Sequence, residues 1–276
     1  MYPLDAKDYG RLRPLFGGLD HALAVDSILD GHTTGQVYVD DVAAPRTALA
    51  GTLQGDLYLA GEASDGATNR ALGALITGCV IPAARALGVP GMALFYDAPA
   101  WERVMDVVLP GLDPLQVGRR YYRFQEPKMD WRTAAPPGRT IVRVDEGRLA
   151  RRDLANVEQM AGWVDSFWHR HADFVRHSFG YCLVEGDAIA SWCLGVFVSG
   201  QQVELGLATV PESRGQGYAT AVAARCVAHC AEQGLTPHWH CWDDNVASWR
   251  VAEKVGFVDP IPYTVYFADI RRDHTE

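Results

Sequence analysis

The chain has little cysteine and spreads it thinly: six residues in 276, at Cys79, Cys182, Cys193, Cys226, Cys230 and Cys241, with no Cys-x-x-Cys pair. That spacing predicts neither a disulfide framework nor a zinc site, so no metal is expected and the thiols are expected to be reduced core residues. Basic charge is also short. Lys and Arg number 25 against 34 Asp and Glu, a net charge of −9. This argues against nucleic acid, whose phosphates need clustered cations, and favours a cationic partner. No uninterrupted apolar run approaches the ~20 residues needed to span a bilayer. Met1-Tyr2-Pro3-Leu4-Asp5 is not a basic segment followed by an apolar one, so a cytoplasmic protein with no membrane partner is expected. What remains is an ordinary balance, 48% hydrophobic and 21% charged, and a length that at roughly 150 residues per domain predicts two domains.

The clearest seam is Gln125 to Thr140, where Pro127, Pro136, Pro137 and Gly138 interrupt both helix and strand. It predicts an N-terminal domain over 1–125, a linker over 126–139 and a C-terminal domain over 140–276. Ahead of the seam, short helices fill the first thirty residues, and Gln36–Asp40, Thr47–Gly51 and Asp56–Gly61 read as strands. Thr68 or Asn69 is the expected cap of a helix whose apolar residues run Leu72, Leu75, Ile76, Cys79, Val80, Ala83 and Leu87, with a kink at Pro82. Met92–Tyr96 is a further strand, Trp101–Leu109 a helix and Arg120–Gln125 a strand. The C-terminal half reads as strand Thr140–Asp145, helices Leu154–Val164 and Ala172–His177, then strands Gly180–Glu185, Ala188–Val198 and Gln202–Val210. The turns Gly186-Asp187 and Ser199-Gly200 make those three strands an antiparallel meander. Helix Gly217–Gln233, strand His238–Trp242, helix Asn245–Val255 and a strand region Phe257–Ile270 complete the chain.

The most informative stretch is Val210-Pro211-Glu212-Ser213-Arg214-Gly215-Gln216-Gly217-Tyr218-Ala219-Thr220. It joins a strand to a helix through two glycines. Glycine lets backbone approach a ligand, and the first amides of a helix have no partner within it. Those amides and the positive end of the helix dipole form an anion site that suits a pyrophosphate.

Arg214-Gly215-Gln216-Gly217-Tyr218-Ala219 resembles the Arg/Gln-x-x-Gly-x-Gly/Ala signature of the GNAT superfamily of acyl-CoA-dependent N-acyltransferases. Asn245 to Phe257, which ends in Lys254-Val255-Gly256-Phe257, resembles the second motif of that superfamily. The likeness covers Thr140 to Ile270. Through Phe179-Gly180-Tyr181-Cys182, Ser191-Trp192-Cys193 and His238 to Asn245 it extends to a less-studied bacterial group. The N-terminal half, with Val37-Tyr38-Val39-Asp40 and Asp56 to Gly61, is similar to the front half of that group. The resemblance implies an α/β (α+β) fold, with a mixed, mostly antiparallel sheet flanked by helices. It also implies a preceding mixed α/β lobe, a degenerate second copy without a phosphate signature.

The same resemblance implies direct acetyl transfer from acetyl-CoA, as co-substrate, to a small-molecule or peptide amine. A non-catalytic acyl-CoA-binding or regulatory module, which Ala252 would suit, and a longer acyl donor, which small residues near Ala208 would admit, stay open as alternatives. Leu207, Ala208, Thr209 and Val210 would pair with the pantetheine arm between two parting strands, Gln202–Val210 and His238–Trp242. Arg214, Gly215, Gln216, Gly217, Tyr218, Ala219 and Thr220 would hold the pyrophosphate. Asn245 would touch the pantetheine, with Ser248 one turn on. Glu204 stands where several members place the base that deprotonates the amine. By alternation it points away from the neighbouring core residues Val203 and Leu205, as a solvated strand glutamate also would. The usual general-acid tyrosine falls at Ala252. Tyr263, Tyr266, His240 and solvent remain as sources of that proton.

Overall fold

The computed structural model describes residues 1–271, which form two compact units, Met1–Gly118 with the segment from Thr264 on, and Arg119–Tyr263. In the first unit, β1 (Tyr2–Pro3) and two 3₁₀ segments precede α1 (Leu23–Leu29), and an antiparallel meander follows: β2 (Gly35–Val39), β3 (Thr47–Thr52) and β4 (Asp56–Gly61). The chain then crosses through α2 (Gly66–Leu75) and α3 (Ile81–Ala86) to β5 (Gly91–Tyr96), which lies parallel to β4. A 3₁₀ turn and α4 (Met105–Val108) come next, where a single helix over Trp101–Leu109 was expected. The outer strand beside β5 is antiparallel and comes from the far end of the sequence, pairing Tyr266 with Leu94 and Asp269 with Gly91. Leu49, Leu57, Leu59, Leu72, Ile76, Leu94 and Trp101 share the core beneath this sheet.

Three local features of this unit differ from the sequence reading. Asp65, not Thr68 or Asn69, caps α2: its carboxylate accepts from the Ala67 amide, while the Asn69 side chain is buried and donates to the Ala63 carbonyl at 2.8 Å. Pro82 lies in helical backbone that runs unbroken from α2 into α3, just after a π-turn at Ile76–Val80, which stands where the proline removes a regular helical hydrogen bond. Cys79 lies on that turn and is exposed, whereas the other five thiols are buried.

The second unit repeats the order. It is entered by β6 (Leu115–Phe124), whose residues from Arg119 on belong to it, and by the one-turn α5 (Trp131–Ala134). Then come β7 (Thr140–Arg143), α6 (Glu146–Leu149), α7 (Val157–Phe167), α8 (His171–His177) and the meander β8 (Gly180–Glu185), β9 (Ala188–Ser199) and β10 (Gln202–Thr209). Gly186 and Gly200, at φ +60° and +55°, make the two tight turns of this meander. Helix α9 (Tyr218–Gln233) crosses to β11 (Thr236–Trp242), parallel to β10, and α10 (Val246–Val255) leads into β12 (Phe257–Asp269). The buried stripe Val222, Ala223, Cys226, Val227 and Cys230 seats α9 on β8 and β9. The strand beside β11 is β6, antiparallel, with Tyr122 opposite Trp239 and Arg119 opposite Trp242.

Among the described residues each unit therefore has four antiparallel strands, a parallel fifth and an antiparallel sixth; the first unit takes its sixth strand from the far end of the sequence, and the second takes its sixth from β6, which precedes its other strands. This moves the boundary to Gly118/Arg119, ahead of the proline-rich segment 126–139, which lies within the second unit.

Candidate active site

In the second unit, β10 and β11 begin as neighbours and then part. Gln202, Val203 and Glu204 pair with Thr236, Pro237 and His238, and the parallel ladder ends there. From Leu205 to Thr209, β10 pairs with β9, and from Trp239 to Trp242, β11 pairs with β6. A register shift in the β9–β10 ladder falls between Glu204 and Leu205, the point of parting. The Val210 amide donates to the Ala190 carbonyl at 3.0 Å. Antiparallel alternation therefore turns the peptide groups of Ala208 toward β9 and those of Leu207 and Thr209 toward the opening. Within the expected pantetheine stretch, Leu207 and Thr209 face the cleft, and Ala208 and Val210 hold the strand in place. Ser191, fully buried on β9, fixes it further, donating to the Ala208 carbonyl at 2.8 Å and lying 2.9 Å from the Thr209 hydroxyl.

Beyond Val210 the chain makes a 3₁₀ turn and enters α9. Gly215 and Gly217 hold φ of +77° and +82°, and Gly217 is the helix cap, with no side chain bonded to the helix start. A Cβ at either glycine would meet nothing, so it is the left-handed backbone, not crowding, that requires glycine here. The Ala221 amide, bonded to the Gly217 carbonyl at 3.1 Å, closes the first helical turn. The amides of Tyr218, Ala219 and Thr220 thus precede the ladder. Arg214 and Gln216 are exposed beside them, and Arg214 donates from Nε to the Thr209 carbonyl at 3.3 Å. The Tyr218 ring points away into the core. Its hydroxyl donates to Glu185 at 3.1 Å and accepts from Arg139 Nε at 2.9 Å, so only its backbone can serve an anion.

The second motif is committed mainly to local structure. The Asn245 side chain accepts from the Ser248 amide at 3.1 Å and caps α10, and the Ser248 hydroxyl accepts from the buried Trp239 indole at 3.1 Å. Ala252 is completely buried on α10.

At the mouth of the cleft the strands assemble a polar cluster. The side chain of Glu204 is 15% exposed, and one of its oxygens lies 4.0 Å from Nε2 of His240. His240 Nδ1 is 3.0 Å from the Tyr263 hydroxyl, which also accepts from Arg119 Nε at 2.9 Å. Tyr121 stacks on His240, ring centroids 4.8 Å apart, and the Arg119 guanidinium lies 4.4 Å above Trp242. Arg119 and Tyr121 escaped the sequence reading because they precede the seam. Their signal was the run Arg119-Arg120-Tyr121-Tyr122, polar and aromatic residues where a plain outer strand needs neither.

Two α9 side chains with chemistry of their own, Cys226 and His229, are committed to packing. Cys226 donates to the Cys193 carbonyl, and His229 packs on Phe179 with centroids 4.1 Å apart. Burial pushes the Cys182 thiol up to about 12 and raises those of Cys226, Cys230 and Cys241, so none is a ready thiolate at neutral pH.

The first unit has the same elements with the cleft shut. β4 and β5 stay paired from Asp56 and Ala93 to Leu59 and Tyr96. Asp97 then bridges further: its amide donates to the Leu59 carbonyl at 3.1 Å and its carboxylate accepts from the Gly61 amide at 3.0 Å. The helix start that corresponds to the glycine turn is capped by the Asp65 carboxylate, an anion already in residence.

Comparison with known proteins agrees with this architecture. The model of a family described as GNAT acetyltransferase matches residues 13–266. The uncharacterized N-acetyltransferase YdfB of Bacillus subtilis strain 168 is 28% identical over 265 residues, covering 96% of this chain and 97% of that protein. Among solved structures, a GCN5-related N-acetyltransferase-like protein from Streptococcus suis superposes with a TM-score of 0.69 at 20% identity, over 95% of this chain and 98% of the other. A tandem GNAT protein from the clavulanic acid biosynthesis pathway does so with a TM-score of 0.56 at 13% identity, over 99% and 98%. The match spans nearly the whole sequence: the chain belongs to the GNAT acetyltransferase family and is an N-acetyltransferase of that type.

Proposed function

We propose that the chain moves an acetyl group from acetyl-CoA directly to an amine, with the second unit as the transferring unit. The observation that carries this reading is the parting of β10 and β11 after Glu204 and His238, next to a helix start with no side-chain cap. An extended thioester arm needs backbone partners along one strand, and Leu207 and Thr209 supply them. Its pyrophosphate needs unsatisfied amides, and Tyr218, Ala219 and Thr220 supply those. A peptide amide at the parting would polarise the thioester carbonyl.

Glu204 supports the base role by its place. It sits at the parting itself, half-buried and within reach of His240, where a neutral amine has to form before attack.

Calorimetry with acetyl-CoA, followed by thiol release across a panel of amines, tests the reading. Micromolar binding with amine-dependent CoA release is the expected result. Binding without turnover on any amine would leave an acyl-CoA-binding protein and refute transfer.

A further inference from the structure

We infer that the first unit holds a binding site for a small, uncharged, mostly apolar molecule, between its sheet and the helix that crosses it. The observation is a difference between two copies of one fold. In the second unit α9 is a regular helix, and its stripe Val222, Cys226 and Cys230 is buried on β8 and β9. The corresponding helix of the first unit carries the π-turn at Ile76–Val80, a feature frequent at functional sites, and Ile81 is the last buried residue of α3. Ala83 and Ala84 follow, small side chains on a cavity wall, and on the strand side Gly51 has none. Between them is a cavity of about 290 Å³, close to the ~300 Å³ at which small-molecule sites begin.

The lining defines the class of ligand. Among the described residues, no Asp, Glu, Lys, Arg or His lines this cavity, in a chain with 34 acidic and 25 basic residues. A charged group placed there would lose water and gain no counter-charge, so neither acetyl-CoA nor a protonated amine suits it. Leu57 and Met92 are buried at its floor. Leu53 and Leu87, 37% and 61% exposed, stand at its rim, where an apolar occupant would cover them. The half-buried Tyr38 hydroxyl lines the cavity too and hydrogen-bonds to no described residue. It can pair with one hydroxyl, amide or carbonyl on an otherwise apolar ligand. The site lies wholly within the first unit and stands whatever the second unit acetylates.

Cys79 supplies the readout. It lies on the π-turn, lines the cavity and is the one exposed thiol of six. Its alkylation by iodoacetamide, located by peptide mass spectrometry, is followed on the full chain with rising indole, 2-naphthol or 2-naphthoate. Indole and 2-naphthol are expected to slow it saturably, with half-protection below about 1 mM. Naphthoate has the same shape and a charge, and should need at least about tenfold more. Ala84→Leu fills the cavity from the helix side and should abolish protection by the neutral probes without lowering the denaturant midpoint. Ala83→Leu does the same from the next position and serves if the first variant unfolds. The inference is overturned if neither neutral probe protects Cys79, if naphthoate protects as well as naphthol, or if protection survives in a folded filled variant.

Discussion

Asp97 closes the first unit's cleft by accepting, at 3.0 Å, the Gly61 amide at the end of the neighbouring strand. The corresponding strands of the second unit are already apart at that level, their ladder ending at Glu204 and His238. Two copies of one topology therefore differ at the two places where a thioester arm and a pyrophosphate would lie, and Asp65 supplies the second difference.

Acetyl-CoA is accordingly expected to bind once per chain. Titration calorimetry on the full chain should give a stoichiometry of one, and two would contradict the closed first cleft. Asp65→Ala should lower stability through the lost cap, read as a drop in denaturant midpoint, without creating a second site.

Gly217 separates a backbone effect from a charge effect. With φ at +82° and open space around it, Gly217→Ala should cost roughly 1–2 kcal/mol in strain and leave acetyl-CoA bound. Gly217→Glu adds a carboxylate where the pyrophosphate would lie, and affinity should collapse in a protein that still melts cooperatively. Equal affinity of the two variants would remove this turn from the cofactor site.

The sequence showed local structure more readily than partnership. Gly180–Glu185 was legible to the residue, because its strand pattern is bounded by turn residues, and the Asn245 helix began where its cap predicted. Alternation along one strand says which face is buried but not which strand lies beside it. Hence the strand expected at Arg120–Gln125 was assigned to the N-terminal half, although Arg119–Tyr122 pairs with Trp239–Trp242. The glycine turn was visible because left-handed backbone demands a particular residue. The Glu204–His240–Tyr263–Arg119 cluster was not, since its members come from four strands and each is individually unremarkable in sequence.

His229 predicts a pH dependence of stability. Burial against Phe179 and Tyr181, reinforced by Arg143 and Arg225, lowers its pKa from the usual value near 6.5. As pH falls below about 6.5 the unfolded chain takes up this proton before the folded one does. The contribution is thus fully present above that pH and is lost as pH falls through the depressed folded value. Denaturant midpoints at pH 7.5 and 5.5 should fall further apart for the wild type than for His229→Gln. An equal fall in both would assign the acid sensitivity to other groups.

Glu204→Gln tests the base. A base assisting proton removal contributes about 10²–10⁴-fold, so turnover should fall within that range. Acetyl-CoA affinity should barely change, because the glutamate stands at the parting of β10 and β11, away from the glycine turn. The pH profile discriminates more sharply than the rate. If Glu204 accepts the proton, the rising acidic limb of kcat/KM should shift or vanish in the variant. The amine's own ionisation also gives a rising limb, since its protonated form is unreactive. Two acceptors of different pKa separate the sources: the amine's limb moves with the substrate and the enzyme's does not. Near-full activity of Glu204→Gln across pH would remove this residue from the base role.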